Sequence, residues 1–201
     1  MNAAALALAV GVALTAACGG DDGGSGPCLL DAGIAADLGE VDTSDINVHL
    51  SPLGKNLFIE VILDEATAPD VLHLELYGGQ GVFKGGEIRT GTFSLSGVES
   101  RYDSCGACLL LLVDRDPGSF RPSAYFIAES GTLVLDAVAD RVTGHLDDVT
   151  LRHVTIDLTD PDGAGPAQPS LATAPASTCR THLGRAAFDG PFVEDEPDAG
   201  P

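Results

Sequence analysis

The runs NLFIEVILD (56–64) and VLHLELY (71–77) decide how the chain folds. In the first, Leu57, Ile59, Val61 and Leu63 share one parity, and Glu60 marks the other. In the second, Leu72, Leu74 and Leu76 alternate with His73 and Glu75. Side chains of period two line opposite faces of an extended strand, so both runs predict strands with one buried face. The same alternation recurs in INVHLS (46–51), GTFSLSG (91–97) and GTLVLDAV (131–138). ACLLLLVD (107–114) is apolar at both parities, as a strand covered on both faces must be.

Turn residues separate these runs: Ser51-Pro52-Leu53-Gly54, Tyr77-Gly78-Gly79, Lys84-Gly85-Gly86, Asp116-Pro117-Gly118 and Asp160-Pro161-Asp162-Gly163. In VTGHLDDVTLRHVTIDL (142–158), Val149 and Leu151 share one parity and Val154, Ile156 and Leu158 the other. That change predicts a bulge or turn near Arg152-His153. No long stretch of helical period competes, although residues 29–40 leave room for one helical turn. The expectation is an all-β fold: one antiparallel β-sandwich or barrel-like domain over residues 28–185, stabilised by disulfides. Residues 160–178 read as a long loop. Residues 186–201 read as an acidic, proline-containing mobile tail.

The chain of 201 residues carries 10 Lys and Arg against 30 Asp and Glu, a net charge of −20. Nucleic acids and anionic lipid headgroups are held by Lys and Arg, so this balance argues against both as ligands. Hydrophobic residues make up 44% of the chain, enough for a folded core.

The N-terminus carries an address. Residues 3–17, AAALALAVGVALTAA, are too short for a membrane span of ~20 residues and have the length of a secretory apolar region. Leu14-Thr15-Ala16-Ala17-Cys18 resembles a bacterial lipobox, which implies cleavage before Cys18 and lipidation of its sulfur. Residues 1–17 are then a signal peptide. Residues 18–27, rich in Gly and Asp, are a flexible tether between bilayer and folded body. Outer-membrane or cell-surface anchoring is the expected location.

Five cysteines are present. With Cys18 lipidated, Cys28, Cys105, Cys108 and Cys179 remain, an even number in a compartment where disulfides persist. Three pairings are possible. The one favoured joins Cys28 to Cys179 across the ends of the body and leaves Cys105 to pair with Cys108.

The runs GTFSLSGVESRYDSCGACLLLLVDRD (91–116), YFIAESGTLVLDAV (125–138) and GHLDDVTLRHVTI (144–156) resemble those of a group of uncharacterised envelope lipoproteins from myxobacteria and related bacteria. The shared features are the lipobox, a strand opened by Cys-x-x-Cys, and a late β-hairpin. The resemblance implies an envelope location and a β-rich domain, and it carries over no catalytic residue.

Three chemical readings compete with a bland one. Cys105-Gly-Ala-Cys108 has the spacing of a thiol redox motif, or of half a zinc site, but it leads into a strand-like run rather than a helix. Asp157, Asp160 and Asp162 offer hard oxygen ligands for calcium on one loop, as do Asp114 and Asp116 on another, although Asp before Pro or Gly is usually a turn former. His73 with Glu75, and His145 with Asp147, would meet at a metal only if their strands were neighbours. Nucleophile elbows, zinc-protease motifs and phosphate-cradling loops are absent from the sequence. The expected role is therefore a non-enzymatic binding or structural module, with the membrane reached through its anchor and an envelope protein as partner. A calcium-dependent adhesion module and an extracytoplasmic thiol oxidoreductase are the alternatives.

Overall fold

The computed structural model describes residues 37–41, 46–50, 56–64, 66–157, 170–172, 179–191 and 193–194. Eleven strands are formed among them: β1 (Asp37–Val41), β2 (Ile46–Leu50), β3 (Asn56–Ile62), β4 (Val71–Tyr77), β5 (Gly91–Ser94), β6 (Ala107–Val113), β7 (Ala124–Val138), β8 (Arg141–Asp157), β9 (Ser170–Ala172), β10 (Arg180–Pro191) and β11 (Val193–Glu194). Short 3-10 turns occupy Gly81–Phe83 and Gly97–Ser100. The signal peptide, Cys18, the tether and Cys28 lie outside the described residues, as do Asp160 and Asp162.

The strands follow the order β1-β10-β8-β7-β6-β4-β3-β2-β11, with β5 beside β7 and β9 beside β8. β11 follows β10 after a single residue, yet it pairs at the opposite end of this order. The sheet therefore curls back toward itself as a half-barrel. This is the barrel-like form of the expected all-β fold, made by one curled sheet instead of two stacked ones. It is also mixed: β1 runs parallel to β10 and β11 parallel to β2, while the other pairings are antiparallel.

The alternating residues fill the concave side. Leu57, Ile59 and Val61 of β3, Leu72, Leu74 and Leu76 of β4, and Leu109, Leu111 and Val113 of β6 belong to one buried cluster that continues through β7, β8 and β10. Phe83 and Leu95 add to it from the connections. β6 is buried at every position, as its doubly apolar sequence predicts. Its other parity, Cys108, Leu110 and Leu112, joins Val71, Tyr102, Cys105, Ile127 and Val154 in a smaller cluster on the opposite face.

Three expectations need correction. The parity change in β8 occurs at Asp148, not near Arg152-His153, where the ladder to β10 runs on without a shift. Leu146 and Val149 both face the core across Asp148, whose φ is +51°. The neighbouring strands change parity along the same line, between Ala128 and Leu133 in β7 and between Leu183 and Ala186 in β10. Gly131 sits at that line in β7 with φ +133°, and a Cβ there would lie 2.8 Å from the Val149 Cα. A shared kink of this kind lets a sheet turn a corner. Second, Ala186–Pro191 are the outer half of β10, with Ala186 and Phe188 in the core, so the folded body extends past residue 185 into the expected tail. Third, β9 lies within the stretch expected to be a long loop.

Candidate functional site

The convex face of β3 and β4 carries a connected group of ionisable side chains. Glu60 and His73 are directly opposite each other in the β3–β4 register. Glu75, two residues along β4, shares their face because side chains alternate. His73 lies between the two carboxylates, with Nδ1 3.0 Å from Glu60 Oε1 and Nε2 3.1 Å from Glu75 Oε1. Arg115, just beyond β6, donates from Nη1 to the same Glu60 oxygen at 2.6 Å. Two phenols donate to Glu75: Tyr102 to Oε1 at 2.9 Å and Tyr77 to Oε2 at 2.6 Å. Phe58 stacks on the imidazole, with ring centroids 6.1 Å apart.

The group is covered. Only 6% of Glu75 is exposed. Burial would raise the Glu60 carboxyl, but its hydrogen bonds and charge contacts with His73 and Arg115 outweigh that and bring it to about 2. Burial would likewise lower His73, and the two flanking carboxylates instead lift it to about 9. Burial, then the Glu75 charge, pushes the hydroxyls of Tyr77 and Tyr102 upward, so both remain donors. A protonated imidazole donates an N–H hydrogen bond to each carboxylate. Two cations then face two anions, which is how a partly buried ionic group avoids an uncompensated charge.

The loop that supplies Tyr102 is held by another buried carboxylate. Glu99, 1% exposed, accepts from the backbone N–H groups of Val82 at 2.9 Å, Gly106 at 2.8 Å and Ala107 at 2.6 Å. A Cβ on Gly106 would strike the Gln80 carbonyl oxygen, so the chain passes there only with glycine. Cys105 and Cys108 are bonded to each other and wholly buried. In this setting the Cys-Gly-Ala-Cys run packs: Gly106 allows the close approach, Ala107 enters the main core, and the bridge lies beneath Tyr102 in the smaller cluster. It opens strand β6, not a helix, so no helix dipole acts on Cys105. Cys179 is also disulfide-bonded, and its partner is not among the described residues.

The other candidate residues stay apart. β4 and β8 are separated by β6 and β7, so His73 and Glu75 do not meet His145 and Asp147. His145 instead contacts Asp147 at 3.1 Å, and Asp147 accepts from Arg185 at 2.7 Å. Asp116 Oδ1 accepts from Gly118 N, Ser119 N and Ser119 Oγ at 2.6–3.0 Å, the work of a turn former. Asp114 Oδ2 accepts from Ser123 Oγ at 3.1 Å. The side chain of Asp157, with Asp160 and Asp162, falls outside the described set. Among the described residues no three His, Cys, Asp or Glu side chains are grouped to hold a metal ion.

Of this network the sequence pointed to His73 and Glu75. Glu60 carried a signal, as the one charge inside an apolar strand. Tyr77 shares the parity of His73 and Glu75 in β4, whereas Arg115 and Tyr102 carried no signal, because their place depends on loops returning over the sheet. Comparison with known protein families, with curated proteins and with solved structures gives no match.

Proposed function

We propose that the chain is an exported envelope lipoprotein, anchored through Cys18, whose curled β-sheet serves as a non-enzymatic binding or structural module. The observation that carries this reading is the disulfide chemistry. Cys105 and Cys108 form a buried bridge and Cys179 is bonded as well, in a chain that opens with a lipobox-like segment. Such bridges persist in oxidising compartments outside the cytoplasm. The closed polar cluster supports the binding-module half. Its imidazole, guanidinium and carboxylates are turned on one another, as befits a scaffold. A Gly- and Asp-rich tether would let the body stand off from the bilayer.

Labelled fatty acid fed to expressing cells tests the anchor. Label in the wild-type protein and none in Cys18→Ser, with the variant released from membranes, is the expected result. Equal labelling of both proteins overturns it. The intact mass should also show loss of residues 1–17 and four thiols that alkylate only after reduction.

A further inference from the structure

Cys105-Gly106-Ala107-Cys108 is bent where its sequence leads into a strand. Its end Cα atoms are 5.4 Å apart, whereas three steps of extended chain span about 10 Å. Ala107 and Cys108 already belong to β6, so strand preference works against this bend. The two sulfurs can bond only while it is held, because bridged Cα atoms lie within about 7 Å of each other.

Glu99 holds it. The N–H groups of Gly106 and Ala107, the two residues the cysteines enclose, both donate to Glu99 Oε2, at 2.8 and 2.6 Å. Successive backbone N–H groups turned to one side form a concavity for an anion, and bonds to a charged acceptor are the strong kind. Here the anion is the chain's own buried carboxylate. The chain between it and the cysteines is hydrogen-bonded within itself. Arg101 N donates to the Val98 carbonyl at 3.2 Å, and Ser104 N and Cys105 N both donate to the Arg101 carbonyl, at 3.1 and 2.9 Å. Closing so short a loop costs little chain entropy, so this unit can form before distant strands pair.

We propose that Glu99 is a positioning residue for disulfide formation: its carboxylate folds Cys-Gly-Ala-Cys into the bend that joins Cys105 to Cys108, before Cys179 pairs. It thereby selects among the three pairings open to four thiols. The export reading above supplies the oxidant, a protein or small-molecule disulfide outside the cytoplasm. One cysteine thiolate attacks that disulfide and releases one oxidant thiolate. The other cysteine thiolate then attacks the first cysteine's sulfur in the mixed disulfide and releases the second. Two protein thiols give up two electrons and two protons, and the oxidant leaves as two thiols. Glu99 acts on these steps only through the two amides.

The test refolds the reduced, urea-unfolded full-length protein in a glutathione buffer with detergent. Samples are quenched with iodoacetamide at intervals, and their bridges are mapped by peptide mass. The wild type should close Cys105–Cys108 first. Glu99→Ala should close it about tenfold more slowly and raise the share of bridges from Cys105 or Cys108 to Cys28 or Cys179. Glu99→Gln should fall between the two, since its amide oxygen still accepts from Gly106 and Ala107 while its NH2 meets the N–H of Val82. Leu183→Ala, a cavity in the core at β10, should lower the melting temperature and leave the closing rate unchanged. Bridges are read before folding is complete, so a variant that never reaches the native state still reports. Equal closing rates in the wild type and Glu99→Ala overturn the proposal. So does an equal slowing in Leu183→Ala, which would make pairing follow overall stability, or a bridge at Cys179 that forms first in the wild type. Refolding uses an added oxidant and the fatty-acid label reads Cys18, so this proposal and the lipoprotein reading can fail independently.

Discussion

His73 and His182 each lie between two carboxylates, and their settings differ. His73 bridges Glu60 and Glu75 on the convex face of β3 and β4, 17% exposed, with Arg115 and two tyrosines behind the carboxylates. His182 of β10 bridges Asp37 of β1 and Asp148 at the kink of β8, at 3.4 and 2.9 Å. Its side chain is 40% exposed and Asp148 is almost fully so. Hydrogen bonds to the carboxylates of Asp148 and Asp37 raise His182 too. The geometry is similar, but water screens the second group far more than the first. Exposed ion pairs contribute little, whereas a covered carboxylate that loses its counterion is costly. Burial, rather than contact distance, separates a structural keystone from an ornament of the surface.

The largest expected effect comes from breaking the covered bridge. His73→Leu removes one cation and leaves Glu60 and Glu75 on the same face, so it should cost about 3 kcal/mol of unfolding free energy in urea denaturation. A loss near zero would mean that water reaches these carboxylates.

The pH dependence should separate the two histidines next. His73 is raised from its ordinary value to about 9, so its stabilisation is fully present below about 6.5 and fades as pH climbs through 9. Glu60 is depressed to about 2, so its share is full above about 4.5 and fades as pH falls toward 2. The urea midpoint should therefore decline on an alkaline limb that begins above about pH 6.5 and is complete past about 9. That limb should vanish in His73→Leu and persist in His182→Asn. Identical limbs in both variants would remove His73 as its source.

Tyr102→Phe should have a smaller effect. It deletes one of the two phenol donors to Glu75 while keeping the ring in its cluster, at a cost of about 1 kcal/mol by thermal unfolding. The smallest change belongs to His182→Asn, whose urea midpoint at pH 7 should match the wild type within error. A clear loss there would mean that the link from β1 to the kink matters more than its exposure suggests.

Much of this arrangement was legible from one dimension. The alternation in 56–64 and 71–77 placed His73, Glu75 and Glu60 on the face away from the main core, and the structure puts them there. What alternation could not show is that this face is covered. Tyr102 arrives from a loop that Glu99 staples in place, and Arg115 arrives from beyond the end of β6. The kink was legible only as a parity change. Its position was misread because it follows a line across β7, β8 and β10, which no single strand reveals. The strand past residue 185 was hidden by composition, since AAFDGP is short of the large apolar residues that mark other strands.

The sequence by itself determined the strand character, the inner face of strands such as β3 and β4, and the cysteine chemistry, because these depend on side-chain period and residue type. Tertiary structure alone decided that one mixed sheet curls instead of two sheets stacking. It also decided that two carboxylates, an imidazole and a guanidinium from three separate stretches of chain meet under cover, since strand register and returning loops are relations between distant residues that no local pattern encodes.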